Sequence, residues 1–278
     1  MGNSYLEEAA LDVNSMADMS ELGLEGFSSF TEFLGWFKSV LTDKLFDNVS
    51  GLTHGGKTTR DISKVGKLIA PLPHKAIASV LVYQPVGFKD LMLPYASHLA
   101  DLMDRLGDVE ERLLLPLTKY LSMAVTNNDY SDVIWIDKNI KFVDADKEAK
   151  LLASFFNPKV KRNDTVDKVA FGEVYASPGD LVKTGAAILD GEKAAKAIDL
   201  KSLLKAESDL GEVIDLFVKS AKDNPEIITT SKQNIKLIGR VVGSIAKEVE
   251  LLSVAMYSYV TLQTSYNDSV EKLIDNLK

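Results

Sequence analysis

Cysteine is absent from the 278 residues. Disulfide frameworks, thiolate zinc sites and cysteine nucleophiles are therefore excluded. Histidine is scarce. His54, His74 and His98 lie far apart, none at a metal-binding spacing such as H-E-x-x-H, so each reads as a loop or helix-surface residue and no metal is expected. Positive charge is in deficit, with 32 Lys and Arg against 40 Asp and Glu and a net charge of −8. A general nucleic-acid binder needs surplus cations to displace counterions from phosphate, so no specific nucleic-acid partner is expected. Long apolar runs are missing too. The best candidate, AIASVLVYQPVGF, is cut by Gln84 and Pro85, well short of the roughly 18 residues a membrane span needs.

The opening MGNSYLEEAA has neither a basic region nor an apolar stretch, so secretion by a signal peptide is not expected. Leu6 stands where myristoylation calls for Ser or Thr. No G-x-S-x-G elbow occurs, which leaves a hydrolase of that class unsupported. A chain without thiols suits a reducing interior, the cytoplasm or the inside of an assembly such as a virion. What remains is ordinary for a globular protein: 46% hydrophobic and 26% charged residues, in a chain long enough to bury a substantial core.

The strongest pattern lies at the C-terminus. Ile235, Ile238, Val242, Ile245, Val249, Leu252, Met256 and Tyr259, then Tyr266, Val270, Leu273 and Leu277, recur in steps of three and four, broken only by Gln263. This spacing predicts a long helix with a heptad seam. Leu237, Val241, Leu251, Val254 and Leu262 widen the face, which favours a bundle over a two-stranded coil. Gly239 and Gly243 suggest a close approach or a bend. A second seam joins Tyr95, Leu99, Leu102, Leu106, Val109, Leu113 and Tyr120, and Pro116 should kink or break that helix near Leu113. The two long segments are expected to pack together.

A third helix is predicted from about Ser29 to Phe46, opened by Ser29 and Glu32 at capping-box spacing. Its apolar face is Phe30, Phe33, Leu34, Phe37, Val40, Leu41 and Leu45. Trp36 lies off that face, where exposure would suit a partner surface. Ser177-Pro178 and Asn224-Pro225 read as helix starts. A helix from about Leu200 to Ala221 carries Leu203, Leu204, Leu210, Val213, Ile214, Phe217 and Val218. Residues 126–176 differ: DVIWIDKNIKFVD reads as two short strands and KVAFGEVY as a third. The run 77–83 fits strand or helix equally. The expected fold is mainly α, a bundle of long antiparallel helices with a small β-containing insertion. Its regions are 1–125 (helical), 126–176 (the insertion) and 177–278 (helical, packing on the first), together one composite domain.

One motif speaks for chemistry. GLTHGGKT, residues 51–58, fits G-x-x-x-x-G-K-[ST] at Gly51, Gly56, Lys57 and Thr58. At these eight residues the chain resembles the P-loop NTPases. The resemblance implies that Lys57 reaches the β- and γ-phosphates, Thr58 holds Mg²⁺ and the loop N–H groups cradle the phosphates. VIWID, ending at Asp137, would supply the second magnesium ligand. That cradle joins a buried strand to a helix N-terminus. Ile62, Val65, Leu68 and Ile69 supply the helix, but Leu45-Phe46-Asp47-Asn48-Val49-Ser50 makes a poor buried strand. Too few further strands follow to build the family's sheet. The expectation is a glycine-rich connection between helices, with Lys57 solvated and no cofactor.

Other charged clusters read as solvated faces. Asp101, Asp104, Glu110 and Glu111 form the polar side of the second helix. Lys232, Lys236, Arg240 and Lys247 form a basic edge balanced by Glu248 and Glu250. The aromatic stripe at 27–46 lacks the basic bias of an interfacial helix, so core packing is expected there. The functional expectation is a non-catalytic structural protein, a helical and oligomeric component of a larger complex with self or other subunits as partners, in a setting such as a bacteriophage virion. The alternatives are a nucleotide-dependent enzyme using residues 51–58 with Asp137, and a membrane-interacting protein resembling helical pore formers.

Overall fold

The computed structural model describes residues 55–129, 140–157, 159, 166–223 and 225–277. It is mostly helical with one small two-stranded antiparallel sheet. In chain order the elements are α1 (Gly55–Leu68), α2 (His74–Ile77), β1 (Leu81–Pro85), α3 (Met92–Leu106), a π-helical turn (Glu110–Leu114), α4 (Leu115–Asn127), α5 (Ala145–Ser154), β2 (Val166–Ala170), α6 (Phe171–Val174), α7 (Pro178–Ala197), α8 (Leu200–Asp223) and α9 (Pro225–Asn276). The helix predicted over 29–46, and Trp36 with it, falls outside the described residues, as do the first strand of 132–144 up to position 139, Gly51, His54 and Asp137.

Helix α9 spans 52 residues, about 78 Å at the α-helical rise. Its seam is buried from Ile245 through Val249, Leu252, Met256, Tyr259, Tyr266, Val270 and Leu273. Gln263, the break in the apolar series, is buried as well, and its amide Nε2 donates to Glu192 Oε2 at 3.4 Å. Leu277, the predicted end of the seam, is exposed. Gly243 does not mark a close approach: a Cβ there would meet nothing within 4 Å.

The second seam is buried throughout from Tyr95 to Leu113, and Tyr120 packs against the core from its edge. The helix is interrupted at Gly107–Asp108, and at Pro116 the chain stays helical but distorted. Pro116 lacks an N–H and its ring would strike the carbonyl four residues back. The preceding turn widens in response: the Leu115 N–H reaches Glu110 O, five residues back, the bonding that defines a π turn. The α4 helix then ends at Asn128, whose φ of 49° is the left-handed conformation that Asn tolerates at a helix terminus.

The main partner of α3 is α7, with α9 packing beside it. Sequence periodicity marked only the start of α7, where Ser177 Oγ accepts from Asp180 N–H at 3.1 Å and Pro178 fills the first turn. The packing face of α7 mixes large and small residues, with Leu181 and Ile188 buried beside Gly185 and Gly191. A Cβ built on Gly185 would sit 2.2 Å from Tyr266 Oη and 2.5 Å from Ile62 Cγ1. One built on Gly191 would sit 2.8 Å from Tyr259 Cε2 and 3.4 Å from Ala100 Cα. The two glycines are therefore notches that receive the tyrosine rings of α9. Their order, Gly185 with Tyr266 and Gly191 with Tyr259, makes α7 and α9 run in opposite senses. Tyr259 O–H also donates to Ile188 O at 2.6 Å.

The sheet corrects the expected placement of β structure. β1 (81–85) settles the ambiguous run 77–83, whose first residue instead ends α2. It pairs with β2 in register Leu81↔Ala170 to Pro85↔Val166, so the sheet joins residues ahead of the supposed insertion to residues within it. The motif KVAFGEVY is strand only to Ala170. Phe171 N–H then bonds Val80 O and Gly172 N–H bonds Ala78 O, turning the chain into α6. The free edge of β1 is covered by α9. Ser269 Oγ accepts from Tyr83 N–H at 2.8 Å and lies 2.9 Å from Tyr83 O, within reach of donation back. One hydroxyl thus occupies the ladder position a third strand would take.

Residues 140–144 are not a strand, because their backbone groups are taken by side chains. Val143 N–H donates to Glu248 Oε1 at 2.6 Å, and Lys141 O accepts from Arg112. Asp144 then caps α5 by accepting from Lys147 N–H at 3.0 Å. The buried side chains of all these elements form one continuous cluster.

Candidate functional site

Three places among the described residues could carry chemistry or recognition. The first is the start of α1. Gly56, Lys57 and Thr58 lie in its first turn, the location a phosphate cradle requires. Gly51 and Asp137, the other residues of that reading, lie outside the described residues. The described strands are antiparallel to each other, and no parallel strand is present among the described residues.

The second is an ion network at the junction of α3, the π turn, α5 and α9. Arg105 donates through both terminal nitrogens to Glu148 Oε1 at 3.1 Å and through Nε to Asp101 at 3.0 Å. His98 Nε2 lies 3.2 Å from Glu148 Oε2, though poorly aligned for a hydrogen bond. Arg112 donates to Glu248 Oε2 at 2.8 Å, to Asp108 at 3.0 Å and to Lys141 O. Lys247 pairs with Asp146 at 2.9 Å. The network pins residues 141–148 to the helices beneath them.

This arrangement overturns the reading of Glu248 and Glu250 as solvated partners of a basic edge, since both are buried. Burial pushes the Glu248 carboxyl above its ordinary range, against the opposing pull of Arg112 and the Val143 N–H. Burial likewise holds His98 below its ordinary value, with Glu148 pulling the other way. Position 248 carried a legible warning. It lies three residues after Ile245 and four before Leu252, beside two seam positions, where a charge must find a partner or cost folding energy. Asp101, Asp104 and Glu111 are exposed as expected, while Glu110 is half-buried and accepts from Ser202 O–H at 2.6 Å.

His74 stacks obliquely on Phe171 with ring centroids 5.9 Å apart, a packing role on the side of the sheet. No group of three or more potential metal ligands occurs among the described residues. No described helix is long and apolar enough to cross a membrane.

The third place is a groove of about 580 Å³ along α4, lined by Glu111, Leu115, Lys119, Met123 and Asn127 with Tyr120 beside them. Leu115 is 44% exposed and Met123 56% exposed. The floor is apolar and its rim is charged, the makeup of a recognition surface. Sequence reasoning placed Tyr120 in the seam but did not see this face, because two apolar residues eight apart carry little periodic signal. No family model, no curated protein and no solved structure matches the chain.

Proposed function

We propose that the chain is a non-catalytic, helical component of a larger assembly, built as a bundle of long antiparallel helices that presents a docking face to other subunits. The observation that carries this reading is the exposed apolar groove on α4, on a body whose other polar clusters are spent on internal ties. Arg105, Arg112, Glu148 and Glu248 all point at one another rather than at an open pocket. A catalytic carboxylate needs room for a substrate beside it, and Glu148 and Glu248 are instead buried and paired with Arg105 and Arg112. An acidic, cysteine-free chain suits the interior of a bacteriophage virion or the cytoplasm.

The second reading is nucleotide binding through Gly51, Gly56, Lys57 and Thr58, favoured by the position of the last three in the first turn of α1. Titration of a fluorescent ATP analogue with and without Mg²⁺ separates the two. The assembly reading expects no saturable binding. Mg²⁺-dependent binding that Lys57→Ala abolishes would replace it with a nucleotide-dependent function. Co-flotation with liposomes would instead establish a membrane-interacting protein, and the assembly reading expects the protein to stay at the bottom of the gradient.

A further inference from the structure

The groove on α4 has a charge order that fits a second copy of itself. In an uninterrupted α-helix, residues four apart drift about 40° around the axis at each step. The π turn at Glu110–Leu114 drifts the other way, because its turn holds an extra residue. Pro116, by forcing that turn, brings Glu111 onto the face of Leu115, Lys119 and Met123, and these four line one groove. The face therefore reads acid, apolar, base, apolar along its length.

Glu111 and Lys119 are both exposed and make no ion pair among the described residues. They stand four residues either side of Leu115. A two-fold axis at Leu115 would set Glu111 of each copy against the partner's Lys119, twice over, with Leu115 on the partner's Leu115. Such self-complementarity is the requirement for a two-fold symmetric interface. Asp101, Asp108, Arg105 and Arg112 nearby are already paired within the chain, unlike Glu111 and Lys119, while Asp129 lies at the far end of the groove.

We infer that the α4 face is a homotypic docking surface, in which two copies pair antiparallel through Glu111–Lys119 contacts flanking Leu115. This rests on the assembly reading and names its partner as the chain itself. The test is sedimentation velocity of the full chain over a concentration series, for wild type, Glu111→Lys, Lys119→Glu and the double charge swap. All substituted residues are exposed, and circular dichroism confirms that each variant folds.

Each single variant sets like charges opposite one another at both ends of the pair. It is expected to raise the dimer dissociation constant about 10-fold or more. The double swap restores the pairing and is expected to return it to within about 3-fold of wild type. A wild-type dimer indifferent to the single variants, or a double swap no better than the singles, overturns the proposal while leaving the assembly reading in place. A wild type that stays monomeric through about 100 µM, where a dimer with a Kd of about 1 µM is almost fully formed, overturns the proposal and leaves the assembly reading to partners other than the chain itself.

Discussion

Substituting Arg112 tests whether the buried network holds residues 140–154 to the body. Glu248 is fully buried, and its charge is met by Arg112 at 2.8 Å and by the Val143 N–H at 2.6 Å. Arg112→Met keeps the apolar stem and removes the guanidinium, leaving Glu248 with one N–H. Breaking a buried pair from one side costs about 3–5 kcal/mol. Glu248→Gln should cost less, about 1–3 kcal/mol. The amide can still accept from Val143, and Arg112 keeps Asp108 and Lys141 O. The double variant leaves no uncompensated charge and should be more stable than Arg112→Met alone.

The pH dependence has a defined sign. A carboxyl whose folded pKa is raised contributes its stabilisation fully below the unfolded value, near 4.3, and loses it as pH rises through the folded value. Glu248 is raised by burial, and losing Arg112 raises it further. The penalty of Arg112→Met should therefore shrink as pH falls from neutrality. Urea unfolding followed at 222 nm, at pH 7.5 and 5.5, measures both effects. A cost below about 1 kcal/mol for Arg112→Met, or a penalty that grows on acidification, would refute the reasoning.

Two further substitutions probe other links. Gly185→Ala should destabilise by about 1–3 kcal/mol, because its Cβ would stand 2.2 Å from Tyr266 Oη. Gly243→Ala in the open interior of α9, with nothing within 4 Å, should stabilise by about 0.5–1 kcal/mol. Paired melting curves check the contrast, and equal shifts would contradict the notch geometry. Burial holds the His98 imidazole below its ordinary value, near 6.5. Its contribution is present above that value and lost as pH falls through the folded one. His98→Gln should flatten the stability–pH curve just below pH 6.5, and an unchanged slope there would place the acid sensitivity elsewhere.

Much of the helical frame was legible because burial imposes a period. Ile245, Val249, Leu252, Met256, Tyr259, Tyr266, Val270 and Leu273 fall on one stripe in sequence and are buried in the fold. Pro116 was legible because its missing N–H has one local consequence. Helix α7 was not, since Gly185, Gly191 and Glu192 are buried on its packing face between Leu181, Ile188 and Ala195 and weaken the hydrophobic period there. The run 140–144 looked like strand because Ile140, Phe142 and Val143 are β-formers, yet its hydrogen bonds go to Arg112 and Glu248, residues remote in sequence. The groove was hidden for a related reason: Glu111 joins Lys119 on one face only through the π turn.

Static light scattering of the purified full chain bears most directly on the claim that this protein assembles with copies of itself. The account predicts a mass that is a multiple of 30.5 kDa and rises with concentration toward a defined limit. A monodisperse particle of single-chain mass, unchanged up to about 100 µM, where a dimer with a Kd of about 1 µM is almost fully formed, would contradict it.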